Sequence, residues 1–191
     1  MMATPTSDKR SPQLPARREP LLEVLEQFAA ARLKARVGGA ALRADLRFPD
    51  SGVDDLVAAL ARLDRVPVRE VLHDFGKFIA STLLLPRVAR QPAWRTLEVL
   101  AHLDDILSAG GGRLHLPASS VRTATDEILL SYGKGRHWCA LTRGLAEAVA
   151  AHFGDAAEFT EPSCLNRGAS QCRLFIRRTV AAPATAEGAC A

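Results

Sequence analysis

Apolar residues recur at helical spacing through the first two-thirds of the chain and alternate with polar ones in the last third. Leu21, Leu25, Phe28 and Leu33 share one face of a helix expected from about Glu19 to Ala35. Pro20 suits its first turn, and Gly38-Gly39 its end. The turn residues Phe48-Pro49-Asp50-Ser51 precede a second stripe of Val53, Leu56, Val57, Leu60 and Leu63. Pro67 opens a third, with Val68, Val71, Leu72, Phe75, Ile79 and Leu83 inward. Pro92 opens a fourth, with Trp94, Leu97, Leu100, Leu103 and Leu107 inward and Gly110-Gly111-Gly112 as its stop.

After Pro117 the period changes to two. Ile128, Leu130 and Tyr132 alternate with Glu127, Leu129 and Ser131, as in a half-buried strand. Leu141, Leu145, Val149 and Phe153 return to helical spacing before Gly154. Two more strands are expected, at about 157–161 and 171–178, joined through Asn166-Arg167-Gly168. Helices followed by a small antiparallel sheet and a crossing helix make an α+β domain. The chain divides into a disordered tail over 1–16, one domain over 17–179 and a flexible tail over 180–191. Within the domain, 17–116 is the helical part and 117–179 the sheet part.

Composition narrows the function more than it changes the fold. A length of 191 residues suits a single core, and 48% hydrophobic with 24% charged residues is ordinary globular usage. The formal charge of +4 is mild and no basic stripe is interleaved with aromatics, so nucleic acid is not an expected partner. No apolar run approaches the ~20 residues that span a bilayer, and the first residues lack the apolar core of a signal peptide. A cytoplasmic protein is expected. In that compartment thiols stay reduced, so clustered cysteines are metal ligands, redox groups or small core residues rather than a disulfide framework.

Three of the four cysteines, Cys139, Cys164 and Cys172, fall in the last third. Strand pairing can bring Cys164 and Cys172 together, and the crossing helix can lay Cys139 over them. Three thiolates suit zinc, which takes four tetrahedral ligands; Glu161, His137 and His152 are candidates for the fourth. The spacing is not a zinc-finger signature, and by itself it fits small buried hydrophobes better than metal ligands. Tyr132 with Arg136 can hold an anionic group through a phenol and a guanidinium fork. The histidines His73, His102, His115, His137 and His152 are scattered, and no nucleophile motif, phosphate loop or acid–base pair is present. An enzyme is not expected.

Several stretches in order resemble the haem-nitric-oxide/oxygen-binding family, H-NOX. These are FPDSGVDDLVAALARLDRVPVREVLHDFGKFI, VLAHLDDIL, Tyr132-x-x-x-Arg136, CALTRGLAEAVAAHFG and CLNRGASQC. The C-terminal half is also similar to ligand-binding domains of the vinyl-reductase type. The H-NOX resemblance implies a bacterial-type, non-enzymatic sensor of a gas or other small ligand, with haem held by Tyr132 and Arg136 at its propionates. It implies signalling in trans to a histidine kinase, a cyclic-dinucleotide enzyme or a chemoreceptor.

The departures bear on the cofactor. Leu107 stands where the family has the proximal histidine, and leucine has no atom that binds iron. His102, the nearby histidine, five positions earlier and about 500° around a helix, is the candidate ligand in its place. Lys134 replaces the serine of the family's Tyr-x-Ser-x-Arg signature, and the loop Ala109–His115 is short. The resemblance also implies zinc at Cys139, Cys164 and Cys172, with Glu161 as the fourth ligand. The other reading is a haem-less, zinc-stapled structural or protein-interaction domain.

Overall fold

The computed structural model describes residues 20–37, 52–109, 119–132 and 138–179. Both tails, the turn at 48–51, the glycines at 110–112, and Arg136 and His137 lie outside the described residues. The architecture is α+β. Helices α1 (Pro20–Val37), α2 (Val53–Asp64) and α3 (Val68–Ile79) come first. A π-helical turn, Ala80–Leu84, leads into α4 (Leu85–Val88), and α5 (Thr96–Ala101) and α6 (Leu103–Ser108) follow. The sheet then forms from β1 (Ser119–Ala124), β2 (Glu127–Tyr132), β3 (Ala156–Ser163) and β4 (Cys172–Thr179), with α7 (Trp138–Phe153) between β2 and β3. All pairings are antiparallel, in the order β1-β2-β4-β3.

The sheet buries one face by alternation. Ile128, Leu130 and Tyr132 point inward from β2, opposite Ile176, Leu174 and Cys172 of β4. Helix α7 packs against both α3 and strands β3 and β4. Two glycines permit the close approach of α3 and α7. A Cβ at Gly76 would lie 2.0 Å from the Leu141 carbonyl oxygen, and one at Gly144 would lie 2.0 Å from that of His73. A side chain on either would force the helices apart.

The expected third helix is interrupted by the π-helical turn. Pro86 supplies no N–H to the ladder, and the Ser81 and Thr82 hydroxyls bond back to Phe78 O at 3.1 and 2.6 Å. The extra residue in the turn shifts the inward face, so Leu84 is fully buried and Leu83 only half-buried. Leu63, expected inward on α2, is 50% exposed, and Ala61 is buried instead.

The expected fourth helix begins at Thr96, not at Pro92. The Arg95 N–H donates to Glu98 Oε2 at 3.0 Å, and the Thr96 hydroxyl donates to Asp155 Oδ2 at 2.7 Å, tying the start of α5 to the turn after α7. The helix then breaks at His102 (φ −106°, ψ 21°). Arg87 Nη1 donates to Ile106 O and Leu107 O at 2.9 and 3.2 Å, satisfying carbonyls that the end of α6 leaves open. Strand β1 has no counterpart among the expected strands. It is an edge, mostly exposed, and carries no apolar alternation to announce it.

Candidate metal centre

Cys139, Glu161, Cys164 and Cys172 converge: one ligand atom from each lies within 4.8 Å of all the others. Cys139 comes from the first turn of α7 and Glu161 from β3; Cys164 lies just after β3, and Cys172 opens β4. Cys139 Sγ is 3.8 Å from Cys164 Sγ, which is 3.9 Å from Cys172 Sγ. Two sulfurs at the ~2.3 Å zinc–sulfur bond length of a tetrahedron are about 3.8 Å apart. A disulfide would need them near 2.05 Å. All three thiols are free.

Local structure aims these side chains. Between Thr160 and Ser163 the β3–β4 register takes in one extra residue, at Glu161-Pro162, where proline has no N–H to pair. The 3₁₀ turn Leu165–Arg167 ends at Gly168, whose φ of 87° favours glycine. That turn directs the Leu165 N–H at Cys172 Sγ (3.2 Å), and Asn166 Nδ2 donates to Cys139 Sγ at 3.5 Å. Such donors orient and stabilise thiolate ligands. Arg167 donates to the Glu161 carbonyl and lies 3.5 Å from its carboxylate.

Electrostatics among these four side chains favour protonated thiols. Burial, then Glu161 and Cys164, push the Cys139 thiol up to about 12, and burial also raises Cys172. A divalent cation reverses this by favouring thiolates. The donor set therefore fits zinc in kind and in spacing.

The residues implied for haem are arranged otherwise. Tyr132 is 3% exposed and faces the cysteines: it is the cross-strand partner of Cys172, and burial raises its phenol, with Cys139, Glu161 and Cys172 adding. Its hydroxyl makes no regular hydrogen bond to a described residue, although Thr142, one turn after Cys139 on α7, favours its ionised form. Leu107 is fully buried in the core. His102 is turned outward at the α5–α6 break, 53% exposed, its ring stacked on Trp94 at 5.0 Å and 20°. His73 is half-buried and bonded to Glu147 at 2.9 Å; His152 is exposed at the far end of α7 from Cys139, away from the cluster. None of the three described histidines reaches the core, so the described residues offer haem iron no histidine there.

Solved H-NOX structures share this architecture. An H-NOX protein from S. oneidensis in the Fe(II)NO state superposes with a TM-score of 0.62 at 19% identity, covering 86% of this chain and 100% of that one. The H-NOX domain from Shewanella oneidensis in the Fe(II)CO state gives 0.61 at 20%, covering 85% and 99%. An H-NOX structure concerned with the mechanism of activation gives 0.57 at 17%, covering 85% and 94%. The chain has the H-NOX fold. No protein-family model matches the sequence, and no curated protein matches it. No helix among the described residues of this H-NOX fold is long and apolar enough to cross a membrane.

Sequence reasoning named the three cysteines and Glu161 but not their supports. Asn166 and Arg167 read there only as loop residues, because their roles depend on contacts with Cys139 and Glu161 that folding makes, and Thr142, beside the Tyr132 phenol, read only as a helix residue. The one available signal was Thr142 at three positions after Cys139, which places both on one helix face.

Proposed function

We propose that this H-NOX-fold domain is a cytoplasmic sensor that works without haem, through zinc held by Cys139, Glu161, Cys164 and Cys172. It signals in trans to a histidine kinase, a cyclic-dinucleotide enzyme or a chemoreceptor. The observation that carries the reading is the convergence of three thiols and a carboxylate, all four ligand atoms within 4.8 Å of one another. Leu107 in the core and His102 outside it support the absence of His-ligated haem.

Zinc, when bound, neutralises the clustered thiolates and staples the hairpin to α7. The chain's own residues supply the response. Cys164 and Cys172, 3.9 Å apart, are placed for two-electron oxidation to a disulfide by hydrogen peroxide: the two thiolate sulfurs form the S–S bond, the O–O bond breaks, and two protons from solvent complete two molecules of water. Loss of these two ligands frees the first turn of α7 from the hairpin. Because α7 packs directly on α3, the change reaches the helical half of the domain.

Metal analysis of freshly purified, reduced protein tests the reading. The expected result is about one zinc per chain, lost in the double variant Cys164→Ala, Cys172→Ala. Metal-free wild-type protein would overturn it.

A further inference from the structure

A cavity of about 410 Å³ opens directly on the metal centre. That size lies within the ~300–1,000 Å³ range of small-molecule pockets. Its wall includes Cys139, Glu161 and Asn166 and three arginines, Arg69, Arg143 and Arg167. The proposed zinc centre is therefore not sealed. Cys164 and Cys172 are buried, but Cys139 is half-buried and the Glu161 side chain 25% exposed.

Glu161 is the weakest donor of the four. Zinc in an all-protein site commonly takes four cysteines, and a carboxylate is harder than a thiolate. The centre is thus one sulfur short of a four-thiolate set, and the position that lacks it faces the cavity. Arg167 waits beside Glu161, 3.5 Å from its carboxylate, as an alternative partner for it. Arg69 makes no hydrogen bond or ion pair with a described residue, and Arg143, though paired with Glu147 at 2.8 Å, is 47% exposed. The first turn of α7, which lines the same cavity, adds a field favourable to anions.

We propose that this cavity binds a small thiol that carries carboxylate groups, and that its sulfur takes the place of Glu161 among the metal donors. The thiol S–H proton goes to solvent, the Glu161 oxygen leaves the donor set as the sulfur enters, and the freed carboxylate pairs with Arg167. No electrons are transferred. One anionic donor replaces another, so the charge on the centre is unchanged, and the ligand's carboxylates meet Arg69 and Arg143. The proposal rests on the metal centre of the preceding section and names the ligand of that same site.

The test uses the full-length, reduced protein loaded with Co(II), titrated anaerobically with mercaptosuccinate. The expected result is saturable one-to-one binding, with sulfur-to-cobalt absorption rising by roughly a third as one thiolate joins three. 2-Mercaptoethanol, which has no carboxylate, should bind about tenfold more weakly, and Arg69→Ala should weaken mercaptosuccinate by about tenfold without changing cobalt uptake. Glu161→Cys, which fills the fourth position from the chain itself, should no longer bind the thiol. A cobalt spectrum of three thiolates that does not change up to ~10 mM thiol would overturn the proposal and leave the metal centre standing. Removal of the cobalt by the thiol would also overturn it. A protein that takes up no cobalt would overturn both.

Discussion

Tyr132 and Cys172 are directly opposed across the β2–β4 ladder, so the phenol lies on the same face of the sheet as the thiol. The signature tyrosine thereby belongs to the surroundings of the cysteine cluster, and burial with nearby Cys139, Glu161 and Cys172 keeps its hydroxyl protonated. A buried hydroxyl that no described residue pairs in regular geometry costs roughly 1–3 kcal/mol. Tyr132→Phe should therefore be neutral or stabilise the metal-free protein by up to about 1 kcal/mol in urea unfolding. A loss above about 2 kcal/mol would mean that the hydroxyl has a strong partner after all.

Helices α3 and α7 touch where Gly76 meets Leu141 and Gly144 meets His73. Gly144→Ala and Gly76→Ala should each destabilise the domain by about 2 kcal/mol or more, since backbone and not a movable side chain meets the new methyl. Both should also weaken zinc binding, because Cys139 rides on α7. Wild-type stability in either variant would disprove the close crossing.

If the cluster takes up a metal as proposed, stability should depend on pH in opposite senses with and without it. In the metal-free fold Cys139 is pushed up to about 12 from an ordinary 9.0, and Cys172 is raised as well. The folded state then holds protons that the unfolded state releases first, so stability is complete below pH 9 and falls as pH rises toward 12. The metal-loaded protein needs deprotonated thiols and should instead lose stability in acid. Melting temperatures of both forms between pH 5 and 11 should diverge in this way; parallel curves would sink the coupling of metal to these thiols.

Protein produced with ample haem supply should show no stoichiometric Soret band, since Leu107 offers iron nothing and His102 points outward. Should a band occur and vanish in His102→Ala, the outward histidine would have to turn inward on binding, and the haem-free reading would fail.

Arg87→Ala should destabilise by about 1 kcal/mol, because the Ile106 and Leu107 carbonyls lose their donor at the end of α6. An unchanged midpoint in urea would show that water replaces the guanidinium.

The sequence by itself determined the elements whose hydrophobic period is unambiguous. Leu21, Leu25 and Phe28 define α1; Ile128, Leu130 and Tyr132 define β2; Leu141, Leu145 and Val149 define α7. Each pattern is local, and each of these residues is buried. The same pattern with Cys139, Cys164 and Cys172 named the candidate ligands. What tertiary structure decided is everything that depends on two distant segments meeting. Leu84 rather than Leu83 faces inward because the π-helical turn adds a residue. His102 leaves the helical face because α5 and α6 break there, and β1 forms because β2 offers it an edge. Glu161 joins the cluster, and His152 does not, because the extra residue in β3 places the carboxylate beside three sulfurs that come from three separate segments. No spacing in a linear chain encodes that distance, since it is set by the registers of strands and the crossing of helices.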